Sequence, residues 1–581
     1  MAAAAWLGMK ASNIKDELEA TAQLIPLLKQ DIASDNPQDA VKTVDQIRAH
    51  TAAAKEASGD PLWTLASAIP VLGANFSAVS EVARSADDVA TLGLAPLVKV
   101  FDSLNWDSLL PSSVGSSLQP IQEAAPSVAS AAHAVRVSAE RLESIDAGGL
   151  FPQVAEPLTR AREQLRAVTG ALDASANASQ LAPGMLGADG PRNYLLMIQN
   201  NAEARASGGI PGALAVLTLD KGKLTLGAQS NAGDVGIRSP ALPVDPEQQQ
   251  IYSSRLGTYM QDVNLTPDFP TAASTAQTMW EKKTGQHVDG VISMDPVALG
   301  YVLDATGPVK ITSPELVAIA GGGLPTELSG KNLVQTLLSD VYAKIAQPHL
   351  QDAYFAGVAK EIFGALSSGK GNAKGLIEGI TRGTAEGRVL VWSGAADEQA
   401  VIAQYPLSGS IAGSSVPPAQ FGVYFNDGTG AKMDYYVKRT VQLVEECATN
   451  GYGQVKVRVT STNTAPADAA TSLPEYVTGG GSFGVPAGMV QTNVIAYGPV
   501  QGNVETAMVD GQKTDFAAHR HSGRPVGSVT VTLAPGQSST VELTFSKIVQ
   551  QTEPNVVVTP TVQAVKDVVL NTEPAECVAS K

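Results

Sequence analysis

The sequence predicts a multidomain fold: an N-terminal α-helical bundle or stalk, a central α/β domain and a C-terminal antiparallel β-sandwich of immunoglobulin-like shape. Three patterns indicate this order. Apolar residues recur at three- and four-residue spacing first, strand and helix candidates then alternate, and short alternating strands bounded by Asn, Pro or Gly come last. At 581 residues the chain exceeds the roughly 100–200 residues of a usual domain. The predicted segments are 1–9, the tail of a membrane anchor; 10–180, the stalk; 190–405, the α/β domain; and 415–581, the β-sandwich.

The stalk prediction rests on apolar stripes such as Val154, Leu158 and Leu165, whose spacing places them on one helix face. Asp60 precedes Pro61 and is expected to cap a helix that begins at the proline. Prolines are expected to divide the region into several antiparallel helices at positions 37, 70, 96, 111, 126 and 152.

The N-terminus and the charge limit the partners. The apolar run MAAAAWLGM ends at Lys10, short of the ~20 residues that cross a bilayer, so it is either the tail of a spanning helix or a plain helix start. We expect the former, which implies an N-terminal membrane anchor. A formal charge of −16 argues against nucleic acid as a partner.

The central region contains a polar stretch between two apolar runs, Tyr194–Ile198 and Ile210–Leu219. We expect strand, polar loop, strand, with the loop turning at two glycines. One interpretation is a ligand pocket; the other is a hydrogen-bonded loop that only holds the two strands in register. The candidate side chains and glycines of this loop are Gln199, Asn200, Asn201, Glu203, Arg205, Gly208 and Gly209.

Two further polar clusters follow. The sequence DVNLTPDFP offers Asp262, Asn264 and Asp268, and DGVISMDP ends at Asp295 before a proline. Carboxylates and amides beside an arginine could together hold a divalent cation and a phosphate. Asp268 and Asp295 have the alternative role of helix N-caps. Motifs of serine hydrolases, zinc proteases and phosphate-binding loops are absent from the sequence.

The C-terminal region begins with FGVYFNDGTGAKMDYYVKRTVQLV, in which an Asp-Gly-Thr-Gly turn separates two alternating runs and predicts a hairpin. The chain has two cysteines, Cys447 near a strand end and Cys577 in the tail. In an extracytoplasmic protein they would form one disulfide; the alternative is two unrelated buried thiols.

Several segments closely resemble a bacterial domain-of-unknown-function family, number four-zero-one-two. They are NYLLMIQNNAEARASGGIPGALAVLTLDKGKLTL, DVNLTPDFP, DGVISMDPVALGYVLDATGPV, DPLWTLASAIPVLGANF and LPEYVTG. The resemblance implies a membrane-anchored protein on the extracytoplasmic face of the cell membrane, and it implies no established activity.

The order of elements over residues 190–370 is more distantly similar to the LytR–CpsA–Psr family of envelope phosphotransferases. Glu203-Ala204-Arg205 occupies the place of that family's Asp-x-Arg motif, and Leu328–Lys331 is similar to its LxG-K segment. The family transfers glycopolymers from a polyprenyl pyrophosphate carrier with magnesium, aspartates and arginines. The resemblance therefore implies magnesium as the candidate cofactor, Glu203 and Asp234 as metal ligands, and Arg205 as the phosphate-binding residue.

Departures from that pattern decide between two functions. Gly208-Gly209-Ile210 replaces the second metal-binding aspartate, no arginine lies beside Asp234, and the arginines of the later helix are missing. We therefore expect a non-catalytic or degenerate envelope module that binds a glycopolymer, a polyprenyl phosphate or another envelope protein. The alternative is an active magnesium-dependent phosphotransferase with Glu203 and Arg205 as catalytic residues.

Overall fold

The computed structural model describes residues 2–34, 36–70, 72–110, 115–239, 241–369, 371–449, 451–575 and 577. The chain divides into two compact units, Met1–Leu109 with Ser117–Asp189, and Leu110–Ser116 with Gly190–Lys581. The predicted α/β domain and the predicted sandwich thus lie within one compact unit.

The first unit is helical, as the apolar stripes predict. Its described helices are α1 (Ala2–Ala33), α2 (Pro37–Ser58), α3 (Pro61–Ala66), α4 (Gly73–Asp88), α5 (Ala95–Ser103), α6 (Gln119–Glu143) and α7 (Pro152–Met185), with a π-helical segment, Val89–Leu94, joining α4 to α5 and a 3₁₀ turn at Trp106–Leu109. The Asp60 carboxylate accepts a hydrogen bond from the Leu62 amide at 2.9 Å, so it caps α3 as expected.

The expectation that Pro126 ends a helix is wrong, because this proline lies inside α6. Its ring is exposed, so the carbonyl that loses its helical partner can be hydrated. Across the part of the chain that the structure describes, no helix combines the length and the apolar character needed to cross a membrane.

The second unit begins with a five-stranded mixed sheet in the order β3-β2-β1-β4-β7. Strand β4 pairs parallel with β1, and the other pairs are antiparallel. A separate two-stranded ribbon joins β5 to β6. The strands are β1 (Arg192–Arg205), β2 (Gly208–Asp220), β3 (Lys223–Asn231), β4 (Gly290–Met294), β5 (Val309–Lys310), β6 (Glu327–Leu328) and β7 (Val389–Ser393).

Helices cover both faces of this sheet. On one face Leu195 and Met197 pack in the cluster that contains Ala276 of α11, and on the other Ile198 packs against the cluster that contains Leu299 of α12 and Val358 of α16. The helices are α8 (Ala232–Val235), α9 (Pro246–Tyr252), α10 (Arg255–Thr258), α11 (Phe269–Thr284), α12 (Pro296–Thr306), α13 (Pro314–Ala320), α14 (Leu333–Gln335), α15 (Val341–Lys344), α16 (Pro348–Leu366), α17 (Ala373–Ala385) and α18 (Ala396–Ile402). A π-helical segment, Thr336–Asp340, joins α14 to α15.

The C-terminal part consists of two five-stranded sheets, β13-β12-β16-β10-β9 and β14-β15-β11-β8-β17. Both sheets contribute to one hydrophobic core, which includes Phe421, Leu443 and Phe545. The strands are β8 (Gln420–Asp427), β9 (Val437–Thr449), β10 (Tyr452–Asn463), β11 (Val490–Tyr497), β12 (Asn503–Val509), β13 (Gln512–Thr514), β14 (Ala517–His521), β15 (Arg524–Leu533), β16 (Ser538–Ile548) and β17 (Asn555–Val558), with short helices α19 (Ala469–Ser472), α20 (Glu475–Thr478) and α21 (Val565–Val568).

The predicted hairpin around Asp-Gly-Thr-Gly is wrong. Strand β8 pairs with β11 and β17, whereas β9 pairs with β10 in the other sheet. The Asp427 carboxylate accepts hydrogen bonds from the amides of Thr429 and Gly430, so the turn is real but leads into a 3₁₀ segment, Met433–Tyr436, that carries the chain to the second sheet. The disulfide between Cys447 and Cys577 is confirmed, and it joins the end of β9 to the C-terminal tail.

Candidate functional site

The polar stretch after Ile198 is part of a strand. Strand β1 continues to Arg205 and pairs with β2 up to Gly208, with register shifts at Ile198/Gln199 and Asn200/Ala204. The expectation of a loop here is wrong, because the C-terminal part covers this end of β1 and supplies partners for its backbone. The amide of Ala204 donates to Asp434 at 2.9 Å, and that of Ala206 donates to Asn426 at 2.8 Å.

Glu203 and Arg205 form a buried ion pair. The Arg205 guanidinium lies 3.0 Å from a Glu203 carboxylate oxygen and 3.5 Å from Asp262, and it donates to the Ala204 carbonyl at 3.0 Å. Asp262 is also held by Arg255, whose guanidinium lies 2.7 Å away. The side chain of Arg205 is 7% exposed, so its charge is directed to protein groups and not to solvent.

Further charges come from the segment between β8 and β9. The Lys432 ammonium lies 3.3 Å from the second oxygen of Glu203, and Asp434 pairs with the buried Arg439. Asp427 lies among them and is almost fully buried. Because these groups come from distant parts of the chain, the cluster ties the C-terminal part to the end of β1.

Burial alone would raise the pKa of the Glu203 carboxyl, but Lys432 and Arg205 hold it below its ordinary value. For Asp427, burial and the charges of Asp434 and Glu203 raise the pKa to about 7, although Arg205 opposes this shift. Burial would lower the pKa of Lys432, but the Glu203 carboxylate and two tyrosines raise it. At neutral pH Glu203 and Lys432 are therefore both charged. Asp427 takes up a proton as the pH falls below about 7.

The other predicted loop residues are also engaged within the protein. Asn201 donates to Asp295 and to the Pro560 carbonyl, each at 3.1 Å. Asn264 donates to the Gly209 carbonyl at 2.8 Å, and Asn200 donates to the Tyr342 hydroxyl. These amides fix the end of β1, as the structural alternative for this stretch predicts.

Gly208 and Gly209 have distinct steric roles. Gly208 adopts φ 143°, a left-handed conformation that favours glycine. A Cβ on Gly209 would overlap the backbone carbonyl of Asn200. The two glycines therefore permit the close approach of β2 to the irregular end of β1.

Two of the predicted acids cap helices. Asp268 accepts from the Thr271 amide at the start of α11, and Asp295 accepts from the Ala298 amide at 2.8 Å at the start of α12. Asp295 also receives a 2.6 Å hydrogen bond from Arg388, a buried arginine that donates to carbonyls near the C-terminus. Capping, the alternative left open for both residues, is their observed role.

A cavity of about 530 Å³ lies beside this cluster, between the sheet and the helices of one face. Most of its wall is apolar. The apolar lining includes Leu196, Ile198, Ile210, Leu214, Leu226, Leu299, Leu337, Leu338, Phe355, Val358, Ile362 and Phe363. A volume of this size is within the range of small-molecule sites in proteins.

One end of the cavity is polar. Glu203 and Lys432 line it, with the Lys432 ammonium 5.4 Å from the ring centre of Tyr342 and 4.8 Å from that of Tyr476. Asp234 and Asp352 also line the cavity and are exposed to solvent, which marks where it opens. Arg205 is not among the described lining residues.

The predicted metal ligands Glu203 and Asp234 thus line one cavity but have different surroundings. Both carboxylate oxygens of Glu203 contact protein cations, Arg205 and Lys432. Asp234 instead has an acidic neighbour, Asp352. Burial raises the pKa of the Asp352 carboxyl, and the charge of Asp234 raises it further. Among the residues that the structure describes, no three His, Cys, Asp or Glu side chains are grouped so as to hold a metal ion. The surroundings of Glu203 do not fit the predicted magnesium site.

Sequence reasoning missed the cavity residues Lys432, Tyr342 and Tyr476. Tyr476 belongs to LPEYVTG, one of the segments that resemble the family, and no motif in that segment indicates a role for it. Lys432 and Tyr342 carry no motif, and only the fold brings them to Glu203.

The second unit thus contains an α/β domain with an apolar cavity, and a buried ion cluster joins that domain to two C-terminal sheets. Residues 189–342, from the start of β1 to α15, match the family described as Protein of unknown function (DUF4012). This match confirms the resemblance inferred from the sequence of the same region. Comparison with curated proteins and with solved structures gives no match.

Proposed function

We propose that the chain is a membrane-anchored, extracytoplasmic envelope protein whose central domain is a non-catalytic, LytR–CpsA–Psr-like module. In this proposal the module binds the apolar chain of an amphipathic ligand. An immunoglobulin-like C-terminal domain supports the wall of the cavity that holds this chain. The observation that carries the proposal is the cavity, whose walls are apolar and whose open end is polar.

The shape of the site supports an apolar chain as the bound group. The cavity of about 530 Å³ is enclosed by one sheet face and by α12 and α16, so a chain inside it would be removed from water. Of the expected partners, which are a glycopolymer, a polyprenyl phosphate and another envelope protein, the polyprenyl phosphate has such a chain, and a glycopolymer has one when a lipid carries it. A protein partner at another surface does not account for the cavity.

The ion cluster favours binding over phosphoryl transfer. A transfer reaction with Arg205 requires the guanidinium to contact a phosphate, but this group is buried among Glu203, Asp262 and a carbonyl. The alternative of an active magnesium-dependent phosphotransferase rests on the resemblance alone, and no geometry around Arg205 favours it.

A fluorescent apolar probe tests the proposal. N-phenyl-1-naphthylamine is titrated into the full chain and then displaced with n-dodecanol. Ala356 lines the cavity from α16, so Ala356→Phe places a phenyl group in the space for the ligand. We expect the probe to bind at least tenfold more weakly to this variant, because the added ring occupies the apolar volume.

The control is Ala343→Phe, which adds the same ring at an exposed position of the neighbouring α15, outside the described lining. It should bind the probe as the parent does. Equal binding by the parent and both variants, with no displacement by dodecanol, would show that the cavity does not bind apolar chains. Mass spectrometry of the gently purified chain should in addition reveal a lipid that Ala356→Phe lacks.

A further inference from the structure

The polar end of the cavity has more acids than bases. Glu203, Asp234 and Asp352 line it, while Lys432 is the sole basic residue in its described lining. The Lys432 ammonium is already 3.3 Å from Glu203, so these two charges offset each other. The two exposed carboxylates, Asp234 and Asp352, therefore leave the opening with a negative charge.

Asp234 and Asp352 are close enough to interact. Asn231 connects them: its side chain donates to Asp352 at 3.2 Å and accepts from the Asp234 amide at 2.9 Å. In agreement with this arrangement, burial and then the charge of Asp234 raise the pKa of Asp352, with Lys432 among the groups that oppose the shift. An incoming phosphate would add a third like charge at this position.

The remaining groups of the polar end are hydrogen-bonding amides and aromatic rings. Gln229 and Gln261 line the same cavity, and Tyr476 is 48% exposed, with its ring 5.9 Å from that of Tyr342. Ionised carboxylates only accept hydrogen bonds, and amides both donate and accept. A polyhydroxylated ring satisfies both kinds of group and can lie against an exposed tyrosine with its apolar face.

We propose that the ligand of this cavity is a lipid with an uncharged, polyhydroxylated headgroup, such as a glycosyl group, and that the site discriminates against a phosphate headgroup. This inference rests on the proposed function, because it names the headgroup of the amphipathic ligand that the cavity binds. The apolar chain provides affinity, and Asp234, Asp352 and Tyr476 at the opening provide the selection.

Two ligands with the same chain test the headgroup. n-Dodecyl β-D-maltoside and n-dodecyl phosphate are each titrated against N-phenyl-1-naphthylamine bound to the full chain, and displacement of the probe is measured. Both are used below their micelle concentrations and at neutral pH. We expect the maltoside to bind at least tenfold more tightly. In the double variant Asp234→Asn, Asp352→Asn, phosphate binding should strengthen several-fold while dodecanol binding is unchanged.

Glu361→Gln is the matched control, since it removes one acid from the same helix as Asp352 but outside the described lining. It should leave both affinities as in the parent. Tyr476→Ala should weaken maltoside binding and leave dodecanol binding unchanged, which also shows that the variant is folded.

The outcomes separate the two proposals. If the phosphate binds as tightly as the maltoside, or more tightly, the headgroup inference is overturned while chain binding stands. If neither ligand nor dodecanol displaces the probe, and Ala356→Phe has no effect, the proposed function itself fails. If the maltoside binds no better than dodecanol, the polar end does not recognise a sugar, and the inference is again overturned.

Discussion

Replacement of Arg205 by methionine distinguishes a structural arginine from one that binds a ligand. The guanidinium is 3.0 Å from Glu203 and 3.5 Å from Asp262, and the side chain is 7% exposed. Removing one partner of a buried ion pair costs roughly 3–5 kcal/mol, because the other charge stays buried without it. Glu203 keeps Lys432 and Asp262 keeps Arg255, so we expect the lower end of this range, about 3 kcal/mol.

Amide hydrogen exchange, read by mass spectrometry on peptides from β1, measures this change within the second unit and separately from the helical unit. A loss of about 3 kcal/mol corresponds to exchange roughly 100-fold faster for amides that exchange only through opening of the unit. The β1 amides between Tyr194 and Met197 are suitable, since their side chains are buried and the strand pairs on both sides.

Arg255→Met is the matched control because Arg255 contacts the same Asp262 but has a side chain that is 60% exposed. Asp262 is buried but keeps Arg205 when Arg255 is removed, and the Arg255 side chain is mostly solvated. We therefore expect a loss nearer the roughly 1 kcal/mol of an exposed pair, and β1 exchange less than tenfold faster. The double variant Glu203→Gln, Arg205→Met should lose less than the sum of the single losses, since it removes both charges of one pair. Unchanged β1 exchange in Arg205→Met, together with loss of ligand binding, would refute the structural role and restore the role predicted from the sequence.

Three further predictions concern other positions. Burial and neighbouring carboxylates raise the pKa of Asp427 from 3.8 to about 7. Between these two values the folded protein retains a proton that the unfolded chain has lost. The free energy of unfolding should therefore fall as the pH rises from about 4 to 7. Asp427→Asn should flatten that dependence in urea titrations at several pH values; an equal slope in both proteins would contradict it. Gly209→Ala should destabilise the unit because its Cβ would overlap a backbone carbonyl. Gly212→Ala should be tolerated, since the nearest atom to its Cβ would be 3.6 Å away. Calorimetry compares the two variants, and equal melting temperatures would show that the close approach at Gly209 can relax. Cys447→Ser should cost about 2–4 kcal/mol by opening the bond to Cys577, and a urea midpoint equal to that of the parent would show that the tail contributes little.

Local patterns were enough to predict many elements. The helix start that the sequence offers at Asp295 is observed: Pro296 begins α12, and Gly307, with φ 88°, ends it. The apolar run Ile210–Leu219 predicts strand β2, Gly208–Asp220, to within two residues at each end. Such signals lie within about a dozen residues of sequence.

The site could not be predicted in the same way because its partners are distant in the sequence. Glu203 and Lys432 are 229 positions apart, and Asn201 and Pro560 are 359 apart. A single sequence indicates that Glu203 and Arg205 need partners if they are buried, but not which residues supply them. The same limitation explains the hairpin error, since the turn after β8 has hairpin composition although its two strands enter different sheets.

The ion cluster and the cavity share Glu203, and this connects the stability of the unit to ligand binding. Its carboxylate holds Arg205 on one oxygen and Lys432 on the other, and Lys432 in turn lies over the rings of Tyr342 and Tyr476 at the polar end. The charges that join the C-terminal sheets to β1 therefore also position the aromatic rings that would contact a headgroup. A variant at Glu203 would alter both properties, whereas variants at Asp234 or Tyr476 alter only the opening, so these exposed positions can separate recognition from folding.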